Sequence, residues 1–194
     1  MTNGHGTRRV RSVEAGFALA ETLIATLLLA GCLVSIAQLF VMAARANWGA
    51  RSITFATVLA AQKMEQIWSL AWGYDLGGLP LTDTTSDLTR VPETPTGGNG
   101  LAPSPSDALD ANTPGFVDYL DGQGKWVGTG VAVAPGAVYI RRWSIEPLPT
   151  GPNNTLVLQV SVTRFQTRGA AEAGWLGPGP EEARVVGLKT RKST

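Results

Sequence analysis

An α+β fold is predicted for this chain of 194 residues: one long N-terminal helix packed on a small antiparallel β-sheet. Three observations predict it. From Phe17 to Met42 the sequence is almost wholly apolar, and no proline occurs from Phe17 to Leu79. From Thr155 to Gln166 apolar and polar residues alternate, with Leu156, Leu158, Val160 and Val162 on one face and Val157, Gln159, Ser161 and Thr163 on the other. Between these regions the chain is broken repeatedly by glycine and proline. The expected organisation is a leader (1–16), an apolar helix (17–44), its amphipathic continuation (45–72), an irregular Pro/Gly-rich connection (73–115) and an antiparallel β head (116–194).

The bulk composition excludes several chemistries. Net charge is +1, so no surface built for polyanions is implied. The only histidine is His5 and the only cysteine is Cys32. Downstream of them no zinc cluster, Ser-His-Asp triad, Cys-His pair or internal disulfide can be assembled. No cofactor or metal is expected, and no enzymatic activity.

The first element is the apolar run FALAETLIATLLLAGCLVSIAQLFVM, Phe17 to Met42. As a helix it would extend about 39 Å, enough to cross a hydrocarbon layer of about 30 Å. Lys and Arg are absent from Ser12 to Ala44. A buried soluble helix is the plainer alternative, but a run of this length without a cation favours a membrane span. Arg8, Arg9 and Arg11 precede the run, whereas Arg45 and Arg51 follow it. This small excess predicts a cytoplasmic N-terminus, with everything after the span outside.

A secretory signal places its cleavage site after the apolar core. Here the order is reversed: a polar, basic leader meets Gly16, and the apolar run follows. Cleavage at Gly16 would leave the helix on the mature chain and give Phe17 a free amine. Glu21 would then lie one turn along, about 6 Å away on the helix axis. A carboxylate in lipid is costly, so an intramembrane acid is a functional hypothesis whose partner should be named. That partner is the Phe17 ammonium, of the same chain or of a neighbour.

Gly16-Phe17, then Glu21 as the fifth residue of the cut chain, then an apolar run, resembles the class III signal of type IV prepilins and pseudopilins. The resemblance implies that a prepilin peptidase cuts between Gly16 and Phe17 and N-methylates Phe17. It implies that Glu21 is the assembly carboxylate, and that the helix becomes the packing spine of a filament. The match covers about residues 8–45. Val58 to Leu70, VLAAQKMEQIWSL, is similar to the A-x-x-K-M-E-Q-[IL] stretch of minor pilins of the pilus modification (PilV-type) group. The chain lacks the proline found in some major-pilin helices and cannot form their C-terminal disulfide loop, so a major-pilin role is not expected.

This resemblance implies a pilin-like fold and a minor pilin or pseudopilin of a type IV pilus or type II secretion filament. The implied partners are prepilin peptidase, other pilin subunits through the N-terminal helix, an inner-membrane assembly platform and, before assembly, membrane lipid. The implied location is the bacterial inner membrane, single pass, with the head periplasmic, and then the filament. Two alternatives stand beside it: a signal-anchored periplasmic scaffold or receptor that is never assembled, and a tethered enzyme using carboxylates alone.

The helical pattern continues past Met42. Ile53, Ala56, Ala60, Met64, Ile67 and Ala71 recur at steps of three and four and are expected to form one packed face. Arg51, Gln62, Lys63, Glu65 and Gln66 are expected at polar positions, and no chemistry is assigned to Lys63 or Glu65. A helix from Phe17 to about Leu70 would reach roughly 80 Å.

Gly73 to Gly115 is expected to be a long connection without fixed structure. In the head, Lys125–Val127 and Val131–Val133 are short strand candidates. Ala137–Glu146, Thr155–Gln166 and Ala183–Lys189 are the three main ones, with a turn-rich link at Pro149–Asn154 and a Gly/Pro loop at Gly174–Pro180. The run Y-x-x-x-W, a long alternating strand and then A-R-x-V-x-L-K-T-R also resembles the heads of those minor pilins, over about residues 137–192.

Other constellations carry less. Asp118, Asp121, Gly122 and Gly124 have calcium-compatible residue types but no EF-hand spacing, and a β-turn is the simpler assignment. Arg141 and Arg142 are strand neighbours facing opposite ways, so they form no nucleic-acid patch. No nucleic-acid partner is expected. Asn153-Asn154-Thr155 matches a glycosylation sequon in a turn setting and carries no argument. The six tryptophans are assigned to packing and interfaces.

Overall fold

The computed structural model describes residues 12–90, 92, 94–165 and 182–192. Residues 1–11 of the leader and the Gly174–Pro180 loop lie outside the described residues, and α1 begins inside the leader, at Ser12. Among the described residues there are one helix, α1 (Ser12–Ser69), and seven strands: β1 (Trp72–Tyr74), β2 (Pro80–Thr82), β3 (Val117–Leu120), β4 (Trp126–Thr129), β5 (Tyr139–Pro147), β6 (Thr155–Arg164) and β7 (Glu182–Thr190). The chain divides into two units, Met1–Trp48 and Gly49–Thr194. The architecture is the α+β, pilin-like one: a long N-terminal helix, partly apolar and partly amphipathic, packed on a small antiparallel sheet.

Within the first unit, every described side chain from Ala18 to Trp48 is exposed. Three of its hydroxyl residues are satisfied within the helix itself. Thr22, Thr26 and Ser35 each turn their hydroxyl back onto a carbonyl of the same helix, at Leu19, Leu23 and Gly31 (2.9, 3.0 and 2.9 Å). Such internal satisfaction is what a helix in a medium without hydrogen-bonding partners requires.

In the second unit the helix becomes two-faced. Ser52, Ala56, Leu59, Ala60, Lys63, Met64 and Ile67 are buried at helical spacing. The packed stripe therefore differs from the expected one at its ends. Ile53 is 47% exposed, and Ala71 is exposed and lies beyond the helix. Leu59 and, against expectation, Lys63 take inward positions.

The sheet has order β4-β3-β5-β6-β7, all antiparallel. The alternation predicted for β6 holds: Leu156, Leu158, Val160 and Val162 are buried against the helix side, with Trp143 and Ile145 of β5 opposite Val160 and Leu158. A second, smaller cluster of Val117, Tyr119 and Ile140 sits on the reverse face, covered by Val127, Val133, Ala134 and Ala137.

The three main strands expected are β5, β6 and β7, the short candidate Lys125–Val127 overlaps β4, and β3 was not expected. Val131–Val133 is not a strand; Val133 instead packs on the reverse face. β3 escaped the sequence reading because its aspartate looks like a turn residue. The connection from 73 to 115 also departs from expectation. β1 and β2 form a hairpin in it, and Leu88, Leu101 and Ala108 are buried in the main core. Ser104 extends the sheet by bonding Ile145 in both directions, its N–H to the carbonyl (2.9 Å) and its Oγ from the N–H (3.0 Å).

Candidate functional site

Both residues of the proposed scissile bond, Gly16 and Phe17, lie in α1, and Glu21 is an exposed residue one turn further along it. Glu21 begins a face with no protein neighbour in its own unit. From Ala18 onward the helix is long and apolar enough to cross a membrane, with mean hydropathy 2.3 over its best window and none of that window buried. What this segment can do is offer lipid, or similar helices, a continuous apolar cylinder with one acid near its start.

The head contains an arrangement that sequence reasoning missed. Asp118 on β3 is fully buried and lies directly opposite Arg141 on β5. Arg141 grips it with two parallel bonds, Nε to Oδ1 at 2.9 Å and Nη2 to Oδ2 at 2.8 Å. Lys63 reaches the same Oδ2 from the helix, also at 2.8 Å, with both side chains at 0% exposure. Two cations thus share one carboxylate. The surplus charge is met by dipoles: Lys63 Nζ also donates to the Leu88 carbonyl (2.6 Å) and lies 4.5 Å from the Trp143 ring centre, while Arg141 Nη1 donates to the Leu59 carbonyl (3.1 Å).

The cluster ties four parts of the chain together: the helix at Leu59 and Lys63, β3, β5 and the 73–115 connection at Leu88. Its chemistry is positioning, because both carboxylate oxygens are occupied by cationic donors. Two sequence signals could have located it. Lys63 lies four residues after Leu59 on the packed stripe, and Arg141 lies on the alternation Tyr139, Trp143, Ile145.

The helix ends on a second cation. The last carbonyls of a helix lack partners within it. Lys189 of β7 supplies them, donating to Trp68 (2.5 Å), Leu70 (2.8 Å) and, more weakly, Ile67 (3.5 Å). Partial burial, with repulsion from Lys192, lowers the pKa of this ammonium. Gly187 makes the approach possible: a Cβ there would lie 2.6 Å from the Trp68 ring. Arg191 stacks on Trp72, its guanidinium carbon 3.7 Å from the ring centre.

The remaining sequence candidates separate. Asp121 forms the β3–β4 turn, its Oδ1 accepting from Gln123 and Lys125 N–H groups (both 2.9 Å), with Gly124 at φ 81°. Asp118 faces the core, so the two acids do not converge. Among the described residues no group of three or more His, Cys, Asp or Glu could hold a metal ion. Arg142 turns away from Arg141 and bonds Asn112 Oδ1 (Nη2 at 2.8 Å), as strand alternation requires. Comparison with protein families, curated proteins and solved structures finds no match to this chain.

Proposed function

We propose that the protein is a minor pilin or pseudopilin, a structural subunit processed by prepilin peptidase and assembled into a type IV pilus or type II secretion filament. The observation that carries this reading is the contrast within α1. One stretch, Ala18–Trp48, is exposed all round and mainly apolar as far as Met42, and it bears Glu21 near its start. The other is roofed by the protein's own sheet. An element of the first kind needs an outside partner, first lipid and then the helices of other subunits.

In this reading Gly16–Phe17 is the processed bond, Phe17 the methylated terminus and Glu21 the acid that pairs with a terminal ammonium. The subunit sits in the inner membrane with its N-terminus cytoplasmic and its head periplasmic until the assembly platform extracts it. Its residues work by assembly rather than by turnover.

Mass spectrometry of the membrane-extracted protein tests the reading. The expected mature chain begins at Phe17 and carries one added methyl group. An intact Met1 terminus would sink the proposal and favour a signal-anchored scaffold or receptor. Replacing Glu21→Gln in cells lacking the wild-type copy is expected to abolish recovery of the subunit in sheared filaments.

A further inference from the structure

The apolar run is longer than a bilayer needs, and its excess raises the question of where along it the lipid sits. Ala18 to Met42 would extend about 37 Å, against a hydrocarbon thickness of about 30 Å. A frame starting at Phe17 would end near Ile36. It would bury Glu21 about 6 Å deep and leave Leu39, Phe40, Val41 and Met42 among the headgroups. Those four side chains are 50–73% exposed and have nothing else to cover them within their unit. Sliding the frame by six residues reverses both faults. It then runs from Leu23 to Met42, which is about 30 Å, and Glu21 falls outside it.

The flanks of this second frame fit the two headgroup layers. Beyond Met42 come Arg45 and Trp48, about 4.5 and 9 Å further along the axis. Trp48 is 74% exposed, and indole is the side chain that favours the boundary between lipid and water. Glu21 and Trp48 are about 40 Å apart along the helix, close to the 40–45 Å of a whole bilayer with its headgroups. Side-chain direction reinforces the match. Helical Cα–Cβ bonds tilt toward the N-terminus, which swings the Trp48 ring back toward the lipid and the Glu21 carboxylate outward toward the opposite aqueous side.

We propose that the unassembled subunit rests with Leu23–Met42 filling the hydrocarbon, Arg45 and Trp48 in the headgroup layer on one side, and Glu21 in the headgroup layer on the other. This rests on the membrane reading above and adds to it the lipid partner of each flank. Glu21 is then hydrated before assembly, and the cost of drying it falls on the extraction step.

Cys32 is a native probe, because it lies at the middle of the proposed frame. The full chain is reconstituted in phosphatidylcholine–phosphatidylglycerol vesicles, opened to both sides, and treated with a water-soluble maleimide. Alkylation needs a thiolate, which hydrocarbon suppresses. Cys32 is expected to react at least about tenfold more slowly in vesicles than after solubilisation in dodecyl sulfate. In a Cys32→Ser background, Glu21→Cys and Trp48→Cys are each expected to react at near the solubilised rate. Protection of position 21 equal to that of Cys32, or free labelling of Cys32 in vesicles, would overturn the placement. The wild-type measurement needs no variant to fold. Failure of the chain to float with the vesicles would remove the membrane reading itself, a different result from protection at position 21.

Discussion

The two halves of α1 share one backbone conformation and have opposite surroundings. From Ala18 to Trp48 every side chain is exposed and most are apolar; from Ser52 to Ile67 a stripe of seven residues is buried, and apart from the half-buried Phe55 and Gln66 the intervening positions stay exposed. The first half has no periodicity because nothing in its own unit gives it an inside. The second acquires one because β5, β6 and β7 lie along one side. Amphipathicity is therefore a record of where the partner is: it lies within the chain for the distal half and, under the function proposed above, in lipid or other subunits for the proximal half. The proximal half also carries its only acid exposed, whereas the distal half buries a cation and pairs it.

The most damaging way to break this contrast is to remove the charge that holds the distal half. Asp118→Ala would leave Lys63 and Arg141 buried without a counter-ion and is expected to cost about 3–5 kcal/mol. A denaturant midpoint of the detergent-solubilised chain reads this. The triple exchange Lys63→Met, Asp118→Leu, Arg141→Met removes every charge together and is expected to recover most of the loss. A triple variant as weak as the single one would mean that the cluster adds net stability.

Apolar truncations sharpen the comparison next. Met64→Ala, in the buried stripe at 1% exposure, is expected to destabilise the head by about 2–5 kcal/mol. Leu27→Ala, at 69% exposure, is expected to change the same midpoint by less than about 0.5 kcal/mol. Equal effects would refute the division of labour along the helix.

The smallest effects are those of alkaline pH on the head. Burial raises the Tyr119 phenol above its ordinary 10.0, against an opposing pull from Arg142, and its hydroxyl donates to the Gly130 carbonyl at 2.6 Å. The folded state then holds that proton longer than the unfolded state. Tyr119 contributes stability that is complete below pH 10 and is lost as pH rises through the folded value. Lys189 has the opposite sign. Its pKa is lowered, so between that value and its ordinary 10.5 the unfolded chain binds more protons and stability rises with pH. Midpoints measured from neutral pH upward should show Tyr119→Phe flattening the fall above pH 10. Lys189→Met should remove the rise below 10.5, together with the helix cap.

What was legible in the sequence follows the same line. Long periods and strict alternation were readable: the helix itself, the inward set of β6 and the opposed directions of Arg141 and Arg142 all follow from spacing. Contacts created by distant pairing were not. β3 is four residues long and carries an aspartate inward, and only its partner 23 positions later makes that tolerable. Lys63 looked like a solvent residue because lysine usually is one, and its place on the stripe outweighs its type once Asp118 is opposite. The 73–115 connection has the composition of an unstructured segment, yet Leu88, Leu101 and Ala108 within it are buried in the core, and Leu88 and Ser104 add backbone hydrogen bonds to the helix and β5. At Gly16, Phe17 and Glu21 the sequence argument stands on motif and spacing, and its tests are chemical.

The cap on α1 has a consequence for the order of events during synthesis. The carbonyls it satisfies belong to Ile67, Trp68 and Leu70, and the amine that reaches them is at residue 189. The same late strand supplies nine paired positions to β6. A helix made early thus waits for a lysine made more than a hundred residues later, and the head has no finished form until residue 190 has left the ribosome. Nascent chains stalled before that point should be cut readily by protease around Trp68, whereas chains released beyond it should resist.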